Sequence, residues 1–377
     1  MPTLYSEILM NQAKLLTVVG TMSGTSFDGI DVALITTDGN KVTSLSNNFS
    51  VYYQERLRQN IRRVLSGDYD SKMLLDTEDE ITLYHAQAIN RLLKESGLDK
   101  EQVDLIGFHG QTIFHDSRTY KTWQLGNPSL LAELSGINVI ADFRRRDMAN
   151  GGEGAPLAPL FHAAIFSEAT PPLAIINIGG VANITYLGRK NNIIAFDTGP
   201  GCALIDDWIY SRMQLKYDAD GEVGSIGTVH YEILDSLMED SYFSRKPSKS
   251  LDRNHFTSVF NNISNLNAAD GVATLTHFTA KAIAAAKQFL PQNPVKWIIS
   301  GGGRRNKYLM KILANDYGLD VQNIDEFFFK NTKLNGDFIE AQAFAFLAAR
   351  SYLHLPLSLP STTGTVKPVS GGGFYFA

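Results

Sequence analysis

The chain has 377 residues, long for one hydrophobic core and comfortable for two domains. Hydrophobic residues make up 44%, charged residues 19%, and the net charge is −5, a globular composition without the basic footprint of a nucleic-acid binder. One cysteine, Cys202, excludes a disulfide framework and a Cys-rich zinc site. With no signal-peptide pattern and no run near the ~20 apolar residues of a membrane span, the expected setting is a reducing cytoplasm.

Taken in chain order, Leu15–Val19 reads as a strand and leads into Gly20-Thr-Met-Ser-Gly-Thr-Ser-Phe-Asp-Gly-Ile-Asp31. Val32–Thr36 leaves as a second strand. A plain hairpin turn needs two to five residues, so this longer loop is expected to hold a ligand. Glycine lets amide N–H groups approach a phosphate, and successive amides make an anion-binding concavity. Gly24, Thr25, Ser26 and Gly29 are the candidate phosphate contacts. Asp28 and Asp31 are further candidates, acting through a metal or a water.

Val42–Val51 and Val103–Phe108 continue the strand pattern. Thr77–Ser96 has the helical period, with Ile81, Tyr84, Leu92 and Leu93 on one face. Further strands are expected at Val139–Phe143, Leu173–Ile178, Ile184–Leu187, Ile193–Phe196 and Trp297–Ser300. Helices are expected at Asn127–Ser135, Pro156–Phe166, Ala203–Met213, Gly271–Phe289, Asn306–Tyr317 and Ile339–Leu353. The alternation indicates an α/β fold.

Leu173–Leu187 repeats the strand, glycine turn and strand of the first loop, which suggests two similar halves with facing turns. The expected first domain is 1–145 plus 361–377, and the second is 146–360. The Gly/Pro-rich stretch at 149–159 marks the boundary, and Phe374, Tyr375 and Phe376 need burial. Asp218–Asn254 reads as polar and irregular, a candidate mobile lobe.

In the second half Ile193–Phe196 delivers Asp197 to Thr198-Gly199-Pro200-Gly201, before a helix. A helix N-terminus with free amides favours phosphate, and the carboxylate stands where a nucleophile can lose its proton. A capping role for Asp197 is the competing expectation. Asn177, Gly179 and Gly180 form the turn that echoes the first loop. Gly301, Gly302 and Gly303 follow a buried strand, and Asn306 opens the next helix, which suits the flat face of adenosine. There is no GxxxxGK[ST] motif and no Rossmann spacing.

GTMSGTSFDGID, IGFHGQTIFH, the 124–159 segment ending GGEGAPLAP, NIGGVANIT, FDTGPG, ISGGGRRN and EAQAFAFLA occur in this order over nearly the whole chain. Together they resemble the anhydro-N-acetylmuramic acid kinases of the sugar-kinase/actin/heat-shock-70 superfamily. The resemblance implies two actin-like (ribonuclease H-like) domains flanking a nucleotide cleft. It also implies ATP and Mg²⁺, a cytoplasmic role in cell-wall recycling, a small-molecule substrate, no nucleic-acid or membrane partner, and a homodimer. The implied reaction opens 1,6-anhydro-N-acetylmuramic acid with water and phosphorylates O6, with Asp197 as the base.

Substrate contacts are expected from Gln111, Arg146 and Glu340, each with a structural alternative. Gln111 can stabilise its turn, Arg146 can pair with Asp142 or Asp147, and Glu340 can favour the first turn of its helix. His109 reads as a buried, hydrogen-bonded histidine, and Asn127 as a helix cap. Where the family usually has Asn after GPG, this chain has Cys202. Rival expectations on the same sequence are a kinase for a free sugar hydroxyl, an actin-like ATPase, and a nucleotide-free glycoside hydrolase. The last needs a second carboxyl beside Asp197.

Overall fold

Two sheets with the same strand order carry the chain. The computed structural model describes residues 14–24 and 27–377. In the first sheet β1 (Leu16–Ser23), β2 (Gly29–Thr37) and β3 (Val42–Tyr52) form an antiparallel meander. β4 (Leu105–Asp116) and β6 (Val139–Ala141) then extend it in parallel from β1, while β5 (Lys121–Leu125) pairs off β4. In the second sheet β7 (Leu173–Ile178), β8 (Val181–Leu187) and β9 (Ile193–Pro200) repeat the meander. β10 (Lys296–Ser300) and β11 (Val321–Asn323) repeat the parallel extension. The orders β3-β2-β1-β4-β6 and β9-β8-β7-β10-β11 are the same path, so the duplication is structural. A short hairpin, β12 (Phe328–Phe329) with β13 (Thr332–Lys333), stands apart from both sheets.

Local signals explain the helices that cover the sheets. α1 (Glu55–Ser66) buries Leu57, Ile61 and Val64 at helical spacing and stops at Gly67 in the left-handed conformation. α2 (Ser71–Ser96) starts where the Asp70 side chain accepts from Met73 N–H. α3 (Pro128–Ser135) is capped in the same way by Asn127, as expected. Further helices are α4 (Arg145–Ala149), α5 (Pro159–Ile165), α6 (Ala203–Met213), α7 (Ala268–Ala285), α8 (Lys307–Asn315) and α9 (Ile339–Tyr352). Among the described residues no helix is long and apolar enough to cross a membrane.

One core cluster joins the halves. It contains Leu16, Val18 and Ile35 of the first sheet, Leu173, Ile175 and Ile298 of the second, Phe161 of α5, and the apolar residues of α9. The two sheets therefore share a helical layer, and the carboxyl ends of β1 and β7 lie near the start of α9. Open α/β sheets place ligands at such ends.

Two expectations about organisation change. The return to the first lobe was expected at residue 361, but α9 already packs on β1, β2 and β4. β14 (Gly373–Tyr375) then pairs with β6. The segment at 218–254, expected as a mobile lobe, is anchored: Tyr242, Phe243 and Lys249 are buried in it. Phe243 and Phe256 stack at 5.4 Å between centroids.

Candidate active site

The first loop is held from below. Ser23 Oγ donates to Gln111 Oε1 at 2.6 Å, and Gln111 Nε2 donates to the Gly24 carbonyl at 3.1 Å. Gln111 is fully buried. Its carboxamide is spent on the loop, so the turn-stabilising alternative replaces the expected sugar contact. Gly29 is the first residue of β2, where a Cβ would overlap the backbone of Val51. Strand packing, not a ligand, accounts for that glycine. Asp28 pairs with Arg58 at 3.1 Å on the exposed side. Asp31 accepts from Ser50 Oγ at 2.6 Å. Burial, with Glu340, Asp337 and Asp28 nearby, pushes its carboxyl up to about 6 despite the Ser50 hydrogen bond. Thr25 and Ser26 lie outside the described residues.

The second lobe supplies a facing set. Asn177 Nδ2 donates to Glu340 Oε1 at 3.4 Å, across the lobes. Glu340 opens to solvent at the start of α9. Surrounding protein still holds its carboxyl above the ordinary value, and Arg144 pulls it back down. Gly301 takes a positive φ of 73° against Asn177 and Ile178. Arg304 donates to the Gly301 carbonyl at 2.9 Å while pairing with Asp325 and Asp337, so the triple-glycine turn is pinned. Asn306 caps α8 through Leu309 N–H at 2.9 Å.

Glycines that border open space differ from those that packing requires. A Cβ on Gly302 would meet nothing within 4 Å, and one on Gly179 only the Val181 carbonyl at 3.7 Å. By contrast, a Cβ on Gly199 would lie 2.7 Å from Ala282 Cβ, and one on Gly303 2.7 Å from Ile178 Cβ. Cys202 stands beside Gly303, and burial pushes its thiol up to about 12. The amides that lead into α6 are not free. Gly201 N–H donates to the Gly180 carbonyl at 3.0 Å, and Cys202 N–H to Gly179 at 2.7 Å. Thr198 Oγ1 donates to the Ala182 carbonyl at 3.1 Å. The Thr198 and Gly201 phosphate contacts expected from sequence are therefore engaged internally, and Gly199 is packed, while Gly179 and Gly302 border open space.

Asp197 sits near the end of β9 and is 7% exposed. Leu251 N–H donates to its Oδ2 at 2.8 Å, its own N–H donates to the Lys249 carbonyl at 2.9 Å, and Tyr242 Oη donates to its carbonyl at 2.6 Å. Its Oδ1 has no partner among the described residues and is not sealed from solvent. Burial pushes the carboxyl up to about 7; the Leu251 bond, Arg144 and Lys249 oppose this, and Glu153 adds to it. The side chain does not cap a helix. A carboxylate near neutrality with one open oxygen has the properties of a general base.

The arginine beside Asp197 and Glu340 is Arg144, not the expected Arg146. Arg144 donates to His109 Nε2 at 2.9 Å and to the Gly154 carbonyl at 2.7 Å. His109 Nδ1–H donates to the Gly110 carbonyl at 2.8 Å, which leaves Nε2 as the acceptor. Burial and Arg144 hold this imidazole neutral, as expected of a buried histidine. Arg146 is exposed and forms no ion pair with Asp142 or Asp147. Sequence reading also missed Lys249, whose buried ammonium lies 4.3 Å from the Tyr242 ring centroid and 4.7 Å from that of Phe289. The aromatic residues at 242, 243 and 256 were the available signal.

The model for the family of anhydro-N-acetylmuramic acid kinases matches residues 16–377. The chain belongs to the anhydro-N-acetylmuramic acid kinase family. A relative of that name from Zymomonas mobilis is 43% identical and covers 95% of this chain and 99% of its own. Another from Paramagnetospirillum magneticum is 41% identical over 94% and 98%. Among solved structures, component A of the Acidaminococcus fermentans (R)-2-hydroxyglutaryl-CoA dehydratase aligns with 12% identity and a TM-score of 0.46, covering 90% of this chain and 99% of that one.

Proposed function

We propose that this member of the anhydro-N-acetylmuramic acid kinase family converts 1,6-anhydro-N-acetylmuramic acid, water and ATP into N-acetylmuramic acid 6-phosphate and ADP. The observation that carries the mechanism is Asp197: a buried carboxylate with a pKa near 7, one oxygen fixed by Leu251 N–H and the other open. Asp197 takes a proton from water as that oxygen bonds to the anomeric carbon. The C1–O6 bond breaks, O6 bonds to the γ-phosphorus, and ADP leaves. Capture of O6 by the phosphoryl group removes the need for the second carboxyl of a glycosidase. Glu153 is near Asp197, but its two oxygens are engaged by Arg245 and Ser250, so it is not a free acid.

The open space beside Gly179 and Gly302 supports a nucleotide there. Its phosphates would lie between the Gly24–Asp28 loop and the Gly179–Gly180 turn, with adenosine toward Gly301–Gly303 and Asn306. Arg144 and Glu340 would face the sugar. Among the described residues no cluster of three or more His, Cys, Asp or Glu side chains forms a metal cage. Mg²⁺ would thus be held through ATP oxygens and water near Asp31 and Glu340, where it neutralises phosphate charge. Cytoplasmic location, cell-wall recycling and a homodimer complete the proposal, on the strength of the family.

Gly302→Val tests the nucleotide position. The Kd for ATP should rise roughly tenfold or more, equivalent to about 1.4 kcal/mol, with an unchanged thermal melt. Unaltered affinity would move the nucleotide elsewhere. Turnover in ¹⁸O-water tests the reaction. Label on C1 of the product is expected; unlabelled phosphosugar would indicate transfer to a free hydroxyl, and opening without ATP would indicate a hydrolase.

A further inference from the structure

The backbone around Glu153 is fixed on both sides. Its N–H donates to the Thr363 carbonyl at 2.7 Å, and its carbonyl accepts from His115 Nε2 at 3.0 Å. The next residue, Gly154, donates to Asp147 Oδ1 at 2.7 Å and accepts from Arg144 at 2.7 Å. Asp147 is itself buried, with Thr363 Oγ1 donating to its Oδ2 at 2.6 Å. Glu153 thus projects from a loop whose backbone is fixed by hydrogen bonds on both sides.

Its carboxylate reaches the segment that brackets Asp197. Ser250 Oγ donates to Glu153 Oε2 at 2.6 Å, and Arg245 donates to Oε1 at 2.5 Å. Ser250 lies between the two residues that hold Asp197: Lys249 accepts its N–H, and Leu251 donates to its carboxylate. Ser117 Oγ adds a second hydrogen bond to Ser250 Oγ at 3.0 Å. Hydrogen bonds at both ends and the peptide bonds on either side of Ser250 make up this series, which ends on the proposed base.

We infer that Glu153 is a positioning residue for the reaction: it clasps Ser250 and so fixes the Lys249–Leu251 bracket that aims the Asp197 carboxylate. The assignment rests on Asp197 as the base. The charged and titratable groups facing Asp197 are Glu153, Arg144, Lys249 and Tyr242. Glu153 therefore acts in two separable ways, as an anchor for the Leu251 N–H and as a negative charge.

Two variants separate these effects. Glu153→Gln keeps an acceptor for Ser250 but loses the charge, so the acid limb of the kcat–pH profile should move to lower pH. Ser250→Ala keeps the charge but loosens the Leu251 bond, so the limb should move to higher pH. Shifts on the order of one pH unit are expected, with kcat lowered roughly 10- to 100-fold by the misplaced base and KM for ATP little changed. A merely structural role would lower melting temperature or yield and leave both limbs at the wild-type pH. Opposite displacements support the assignment. Wild-type profiles in both, or displacement in one direction, overturn it while Asp197→Asn stays inactive. Retained turnover in Asp197→Asn would overturn both the base and its clasp.

Discussion

Asp197→Asn is expected to lower turnover by about 10²- to 10⁴-fold, the range for loss of a positioned general base. ATP affinity should be largely kept, because the proposed nucleotide contacts lie on other loops. The substitution leaves an oxygen to accept from Leu251 N–H, so the bracket survives. Protein stability moves the other way. Burial raises the Asp197 carboxyl from the ordinary 3.8 to about 7. A carboxyl with a raised folded-state pKa binds its proton more tightly in the folded than in the unfolded chain, so its ionisation destabilises the fold. Its contribution falls as pH rises from about 4 to about 7. The Asn variant loses this term and should melt at the wild-type temperature or higher near neutral pH. In the wild type, kcat should rise through an inflection near pH 7 as Asp197 loses its proton. Near-normal turnover in the folded variant would remove Asp197 from the mechanism.

The parts of this arrangement that were legible in sequence are those set by short-range pattern. Leu173–Ile178 and Ala203–Met213 form the expected strand and helix, and the two glycine-turned hairpins announced the duplicated sheets. The glycines misled where composition alone was used. Gly29 and Gly199 serve close packing, and only the neighbours brought by folding distinguish them from Gly302. The arginine triplet offered three equivalent side chains. The short helix that starts there turns Arg144 inward and Arg146 outward, and no local pattern of three identical residues predicts that rotation. Glu153 and Ser250 are 97 positions apart; their pairing is a long-range contact made only by the folded chain. The polar stretch at 218–254 hid its anchors because a few buried aromatics sit among many solvated residues.

Gly20→Val is expected to give the largest loss of stability, about 3 kcal/mol or more, at the upper end of overpacking costs. Gly20 of β1 and Gly107 of β4 are register partners on adjacent parallel strands. Together they make a flat floor for α9. A Cβ on Gly20 would overlap the Ala341 carbonyl and lie 2.6 Å from Ala345 N; one on Gly107 would lie 2.8 Å from Phe344 C. These are backbone atoms of a buried helix, so no side-chain rotation relieves the collision. Either α9 lifts off or β1 moves, and both disturb the core shared by the lobes. Denaturant unfolding should show a lower midpoint for Gly20→Val, whereas Gly302→Ala, which meets open space, should stay within about 1 kcal/mol of wild type. The surviving folded fraction should also turn over more slowly. Glu340 immediately precedes Ala341, and lifting the start of α9 separates Glu340 from Asn177 across the cleft. An unchanged midpoint would mean that α9 does not bear on β1 as closely as the packing requires.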